Sequence, residues 1–207
     1  MATRGDLVAR IQDDIERSGS EWATRITNEI NSAIDFYQKK RFWFSDSREV
    51  TFNTVAAQTD YLFETEFYRL DDVTIVVGGV TTPLRRDDYT CLETSIANFN
   101  GNGQPWAYAY LNGGIRLYPQ PNQVYAMRFL GHFKVPAPAD DEETGTPWMN
   151  EACELIRCRA KLSLAMHVLE DDGLAQRMAL AERPALRALK TATYLKTGSG
   201  TIVPTHF

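Results

Sequence analysis

The aromatic junction, residues Arg41-Phe42-Trp43-Phe44, marks the point where the hydrophobic period of the chain changes. Before it, apolar side chains recur every three or four positions from residue 22 to 37, which predicts an amphipathic helix. After it, residues 50–54 alternate with a period of two, which is typical of a strand. Because successive side chains diverge on either element, the three rings cannot all enter one core, and one should meet another surface.

A second change of period lies near residue 147. The acidic linker Asp140–Glu143 precedes Pro147-Trp148, where helical spacing returns. We therefore predict an α+β fold in which a helical bundle carries an inserted antiparallel β-rich domain and an extended C-terminal arm. The predicted segments are the N-terminal helices, the β-rich insertion, the C-terminal helices and the arm, at residues 1–44, 45–139, 140–196 and 197–207.

Local signals predict the ends and interruptions of the helices. The segment Thr3–Asp6 resembles a helix start, and Ser20 is expected to cap the second helix. Pro184 should kink or interrupt the last helix, because proline lacks the backbone N–H that the helix needs. Arg159 breaks an otherwise apolar helix surface, so it should have a carboxylate or carbonyl partner.

Glycines and alternating apolar residues predict two hairpins in the β-rich segment. Gly78-Gly79 should form the first turn, because glycine adopts positive φ angles at little cost. A second hairpin is expected around residues 112–114. The strand that enters it carries Trp106, Tyr108 and Tyr110 on one face. The segment 100–103 is expected to be a loop.

Composition restricts the class of protein. The chain of 207 residues is 43% hydrophobic and 24% charged, with a net charge of -5, which suits a soluble globular protein and disfavours a general nucleic-acid coat. We see neither an apolar signal region nor a run long enough to cross a membrane. The three cysteines lack metal-site or disulfide-framework spacing, which favours synthesis in a reducing cytoplasm.

The sequence contains no recognisable catalytic motif. His132, His167 and His206 are widely spaced, and neither a metal-binding pattern nor a phosphate-binding loop is present. We therefore predict no catalytic residue, metal or cofactor. One enzymatic alternative stays open, in which the aromatic strand face binds a sugar or a nucleotide.

The order of these parts resembles the head-to-tail adaptor proteins of tailed bacteriophages, similar to the adaptor rings below the portal of short-tailed phages. The resemblance covers nearly the whole chain in layout. Its specific matches are the aromatic junction, Thr51–Thr54 with Tyr61, Leu117-Tyr118-Pro119 with Pro121, and the helix entry at Pro147-Trp148.

The resemblance implies a structural virion protein at the head-to-tail junction, where it helps to retain packaged DNA. It implies a homo-oligomeric ring of twelve subunits that binds the portal and a tail or nozzle protein, while DNA passes through without sequence-specific binding. An alternative within the virion is a tail-terminator or stopper subunit. The residues predicted at interfaces are Arg41, Trp43 and Arg159, together with Thr201, Ile202, Val203, Pro204 and Phe207 of the arm.

Overall fold

The computed structural model describes residues 2–46, 50–62, 67–98, 101–111 and 113–197, so the predicted arm beyond Thr197 lies outside the described residues. The chain divides into two compact units. A helical unit contains Met1–Phe44 and Val135–Phe207, and a β unit contains Ser45–Lys134. The predicted α+β fold class, with helices and antiparallel-rich sheets, is confirmed.

The helical unit is built from long helices on either side of the β segment in sequence. Its elements are α1 (Arg4–Asp14), α2 (Ser20–Gln38), α4 (Pro147–Glu151), α5 (Cys153–Leu164), a π-helical turn (Ala165–Leu169) and α6 (Asp172–Thr197). Helix α6 continues through Pro184, so the expected interruption is wrong. Pro184 is exposed, so it lies on the water-facing side of α6, where a carbonyl that has lost its helical donor can bond to solvent.

The two N-terminal helices begin differently. A reciprocal capping box starts α1: the Thr3 hydroxyl accepts the Asp6 N–H, and the Asp6 carboxylate accepts the Thr3 N–H, each at 3.0 Å. Ser20 does not cap α2, because the N-cap is Gly19, at a φ of 106°. The chain reverses there through a positive φ that favours glycine, which leaves Ser20 inside the first turn.

The helical core follows the predicted apolar faces. On α2, the residues of the expected stripe that are buried are Ile26, Ile30, Ala33, Ile34 and Tyr37. They pack in one cluster with apolar residues of α1, α5 and α6, including Leu7, Ile11, Leu155, Ile156 and Leu189. Each fully buried aliphatic side chain stabilises the fold by about 1.5–3 kcal/mol, so this cluster dominates the stability of the unit.

The β unit contains two four-stranded sheets. The first has the order β1-β10-β3-β4, all antiparallel, with β1 (Val50–Asn53), β3 (Phe67–Val77), β4 (Val80–Pro83) and β10 (Ala126–Phe133). The second has the order β2-β8-β7-β5, with β2 (Asp60–Leu62), β5 (Arg85–Arg86), β7 (Ala107–Leu111) and β8 (Gly114–Tyr118). Helix α3 (Tyr89–Asn98) and the short pair β6 (Asn102–Gly103) and β9 (Gln120–Pro121) complete the unit.

Both predicted hairpins are present in the β unit. Gly78 and Gly79 connect β3 to β4 at φ angles of 58° and 81°, as a tight hairpin turn requires. Strands β7 and β8 pair antiparallel on either side of the second turn. The expected loop at 100–103 is corrected at Asn102–Gly103, which forms β6, because the parallel partner β9 supplies hydrogen bonds that no local pattern announces.

An ion-pair cluster joins α1 to α5, with the Asp14 carboxylate partly open to solvent and the Lys161 side chain buried. The Asp14 carboxylate accepts hydrogen bonds from Lys161 at 3.0 Å and from Arg157 at 2.8 Å. Burial alone would raise the pKa of Asp14, but Lys161 and Arg157 together outweigh that effect and hold the pKa below its ordinary value. Because the side chain of Lys161 is only 8% exposed, it depends on this carboxylate.

We expect Asp14→Asn to lower the free energy of unfolding by about 1–3 kcal/mol near neutral pH, because Lys161 would lose its charged partner. A lowered folded pKa stabilises the fold above the unfolded value of about 3.9 and ceases to do so as the pH falls through the folded value. Urea titrations of both proteins should therefore show the difference shrinking as the pH falls below about 3.9. The adjacent, exposed Asp13→Asn is the matched control; an equal loss in that variant would contradict the assignment.

Candidate assembly interface

The aromatic junction directs two of its rings into the helical core. Phe42 and Phe44 are buried and stack with centroids 5.6 Å apart. Trp148 meets both rings edge-on, at 6.1 Å and 5.0 Å respectively. Its indole N–H donates to the Val135 carbonyl at 2.9 Å. Residues from the end of the first helical segment and from the start of the second thus share one cluster.

Trp43 packs against the edge of that cluster and also contacts α6. Its ring lies edge-on to Phe44 at 5.9 Å, and the Lys196 ammonium stands 3.5 Å from its centroid. The Trp43 backbone N–H donates to the Thr193 hydroxyl at 3.2 Å. The ring is half-buried, and its indole N–H has no acceptor among the described residues. The last turns of α6 therefore hold the one junction ring that the core does not enclose.

Arg159 has the carboxylate partner that its position requires. Its guanidinium lies 3.6 Å from the Glu182 carboxylate and 4.0 Å from the centre of the Phe36 ring. The Tyr37 hydroxyl donates to the same carboxylate. Burial, followed by the hydrogen bond to Glu182, raises the pKa of Tyr37, so its hydroxyl keeps the proton it donates. Arg159 thus connects α5 to α2 and α6 while its side chain remains 32% exposed.

The predicted interface residues do not form one patch within the described part of the chain. Arg41 is exposed where α2 gives way to the junction. Trp43 contacts the end of α6, whereas Arg159 contacts its middle. The arm residues Thr201, Ile202, Val203, Pro204 and Phe207 lie outside the described residues. Their proposed interface roles remain predictions.

The structure adds a concave surface that the sequence reasoning missed. We call it the alanine groove. It has a volume of about 360 Å³ and lies between α6 and the pair α4 and α5. Its lining residues are Glu151, Ala152, Glu154, Leu155, Ala185, Ala188, Leu189 and Ala192. The recurrence of alanine every three or four positions on α6 was the available signal, but small residues also occur on ordinary packed faces.

The second missed feature is an exposed line of side chains on α6, which we call the α6 stripe. Its members are Leu180, Arg183, Arg187, Lys190 and Tyr194, and all are exposed. None of its three cations forms an ion pair with any described residue. The helix spacing of these residues is evident in the sequence, but their lack of ion pairs with described residues is a property of the fold.

The enzymatic alternative loses its binding face. Tyr108 is 1% exposed and belongs to the core of the β unit, while Trp106 is exposed, so the rings of this strand do not form one accessible surface. Within the described ranges, no three His, Cys, Asp or Glu side chains are grouped so that they could hold a metal ion. The three cysteines are free thiols. No helix among the described residues is long and apolar enough to span a membrane.

A known protein family matches both units of the chain. The family model of the SU10 adaptor protein matches residues 2–203, which is nearly the whole chain. No curated protein matches the chain. The match includes the aromatic junction, the complete β unit and helix α6.

We expect Phe42→Ala to lower the free energy of unfolding by about 3–5 kcal/mol, because it removes a fully buried ring from the cluster with Phe44 and Trp148. Denaturant titration of the isolated subunit measures this loss. Leu195→Ala removes an exposed apolar side chain of α6 and should change the stability by less than about 0.5 kcal/mol. Similar losses of unfolding free energy in the two variants would show that the Phe42–Phe44–Trp148 cluster does not stabilise the helical unit.

Proposed function

The chain belongs to the SU10 adaptor protein family, and we propose that it forms a ring between the portal and the tail of a phage virion and helps to retain packaged DNA. Membership of this family identifies the protein as a structural phage adaptor and a component of the virion. The observation that carries the proposal is the match over residues 2–203, which leaves neither unit unexplained. The position at the head-to-tail junction and the number of subunits, for which we propose twelve, extend beyond that match.

The arrangement of the chain suits a ring component. Such a subunit needs surfaces for two neighbours and a means of docking, and it needs no reaction centre. The described residues offer an alanine groove and an exposed α6 stripe on one helical unit. The net charge of -5 also suits a ring through which DNA slides, because like charge keeps the duplex from adhering without sequence-specific contacts.

We propose that the C-terminal segment docks the subunit on the portal. Helix α6 ends at Thr197, and the residues that follow include the apolar anchors Ile202, Val203 and Phe207. Such a segment can bind by adding a strand to a neighbour's sheet or by inserting its anchors into a groove. Because many copies would engage one portal ring together, multivalency would offset the entropy lost by ordering each segment.

Deletion of residues 198–207 should abolish binding to the purified portal ring, because it removes the proposed anchors and leaves α6 intact. Surface plasmon resonance on immobilised portal measures the interaction, and unchanged thermal unfolding confirms that the subunit still folds. Substituting serine for Ile202, Val203 and Phe207 in the full-length chain is the matched control for length. Unchanged portal binding would disprove the docking assignment. Binding to a tail protein in place of the portal would favour the stopper alternative.

We expect Trp43→Ala to impair ring assembly more than it impairs folding. Trp43 is half-buried and its cation–π contact with Lys196 is worth only about 0.5–1 kcal/mol, so the subunit should remain folded. Phe42→Ala is the matched control, with a larger loss of stability and a smaller loss of assembly at temperatures where both variants are folded. Negative-stain images of portal mixtures count the rings. If assembly simply followed stability in both variants, the junction would serve only the subunit's own fold.

A further inference from the structure

We propose that neighbouring copies of the chain contact each other through opposite sides of α6, with the α6 stripe of one copy seated in the alanine groove of the next. The inference rests on the proposed ring and names the surfaces that would build it. The occupant of the groove is therefore a second copy of this chain. Apolar contact, charge and geometry each support the pairing.

The α6 stripe has the composition of a protein interface. Leu180 is 63% exposed and Tyr194 is 75% exposed, so the stripe presents a large apolar side chain near each of its ends. Between them stand Arg183 and Arg187, which make no ion pair with any described residue. Arginine and tyrosine are enriched at interfaces and at their energetic hot spots.

The alanine groove is complementary to that stripe. Much of its lining is apolar, with Leu155, Leu189 and four alanines, so Leu180 or Tyr194 of another copy could be buried there. Two acidic residues, Glu151 and Glu154, also line it. Glu154 already binds Arg157, at 2.6 Å, but the Glu151 carboxylate lies 3.9 Å from Lys196, at the outer limit of an ion pair. The positive side chains of the α6 stripe would therefore face the negative side chains of Glu151 and Glu154 when the stripe lies in the groove.

The two surfaces lie on different flanks of one helix. With 3.6 residues per turn, the centre of the α6 stripe is about 150° around the axis from the alanines of the groove. A subunit with complementary surfaces that face different ways associates head to tail, and such contacts close into a ring when the rotation between copies permits. Two identical surfaces facing each other would instead give a closed dimer.

The exposed apolar residues distinguish this partner from DNA. A phosphate-binding helix needs clustered cations, and Leu180 and Tyr194 would add nothing to contacts with a duplex backbone. Seated against another protein, the same two side chains supply the buried apolar area. A second copy also provides a groove lined by apolar and acidic side chains, which suits the apolar and basic side chains of the stripe, whereas duplex DNA has no such surface.

Zero-length carbodiimide crosslinking of mixed ¹⁴N- and ¹⁵N-labelled protein tests the pairing directly. The reagent joins a carboxylate to an amine in contact, and Lys190 is the amine of the α6 stripe. At about 1 mM protein, even a contact with a dissociation constant near 1 mM is populated. We expect Lys190 joined to Glu151 or Glu154 in mixed-isotope peptides. The Lys196–Glu151 pair within one copy provides the internal standard, because it should appear with a single isotope.

Charge reversal provides matched variants. Arg187→Glu should reduce the mixed-isotope Lys190 crosslink at least tenfold, because it places like charge against the glutamates of the groove. Arg177→Glu makes the same change on the same helix but outside the α6 stripe, and it should leave the crosslink within twofold. Ala188→Trp changes the groove and leaves the stripe intact; because the indole fills the groove, this variant should abolish the mixed-isotope crosslink. Circular dichroism confirms that each variant is folded.

The possible results distinguish failure of the stripe–groove interface from failure of the proposed ring. Mixed-isotope crosslinks at other positions only would overturn this interface and leave the ring standing. Complete absence of mixed-isotope peptides would overturn the interface and remove self-association as support for the ring. Binding of a short DNA duplex that Arg187→Glu abolishes, without the Lys190 crosslink, would assign the stripe to DNA and also overturn the proposal.

Discussion

The meeting of Phe42, Phe44 and Trp148 is the contact on which the helical unit depends. The chain leaves this unit after Phe44 and returns at Val135, so the unit is built from two separate pieces of sequence. Among the described residues no disulfide joins the two pieces, because the cysteines are free thiols. The ring contacts, together with the hydrogen bond from Trp148 to Val135, join the pieces where they separate. Closing a chain over so long an interval costs entropy, which this burial must offset.

Features determined by neighbours in sequence were predictable. The apolar stripe of α2, the capping box at Thr3 and the Gly78-Gly79 turn each depend on a short pattern, and the structure contains all three. Local signals also failed twice, at Ser20 and Pro184, and other errors arose where distant residues decide the outcome. The short strand at Asn102–Gly103 exists through its partner β9, and the π-helical turn after α5 has no local signature.

The sequence indicated which residues of the candidate interface needed partners, but it did not identify those partners. The isolation of Arg159 on an apolar helix surface indicated a carboxylate or carbonyl partner, but only the fold identifies Glu182 and adds the Tyr37 hydroxyl. Three consecutive aromatics indicated that one ring must diverge, yet its direction towards Lys196 depends on where α6 ends. The alanine groove combines residues from three helices, so no single stretch of sequence could predict it.

Helix α6 also has a mechanical consequence. Its 26 residues form a continuous rod about 39 Å long, from Asp172 to Thr197. Glu182 anchors the middle of the rod to Arg159, and Thr193 and Lys196 anchor its end to Trp43. A force applied to the chain beyond Thr197 therefore acts first on the Trp43 contact. The rod then carries that load lengthwise to the Glu182–Arg159 contact within the helical unit.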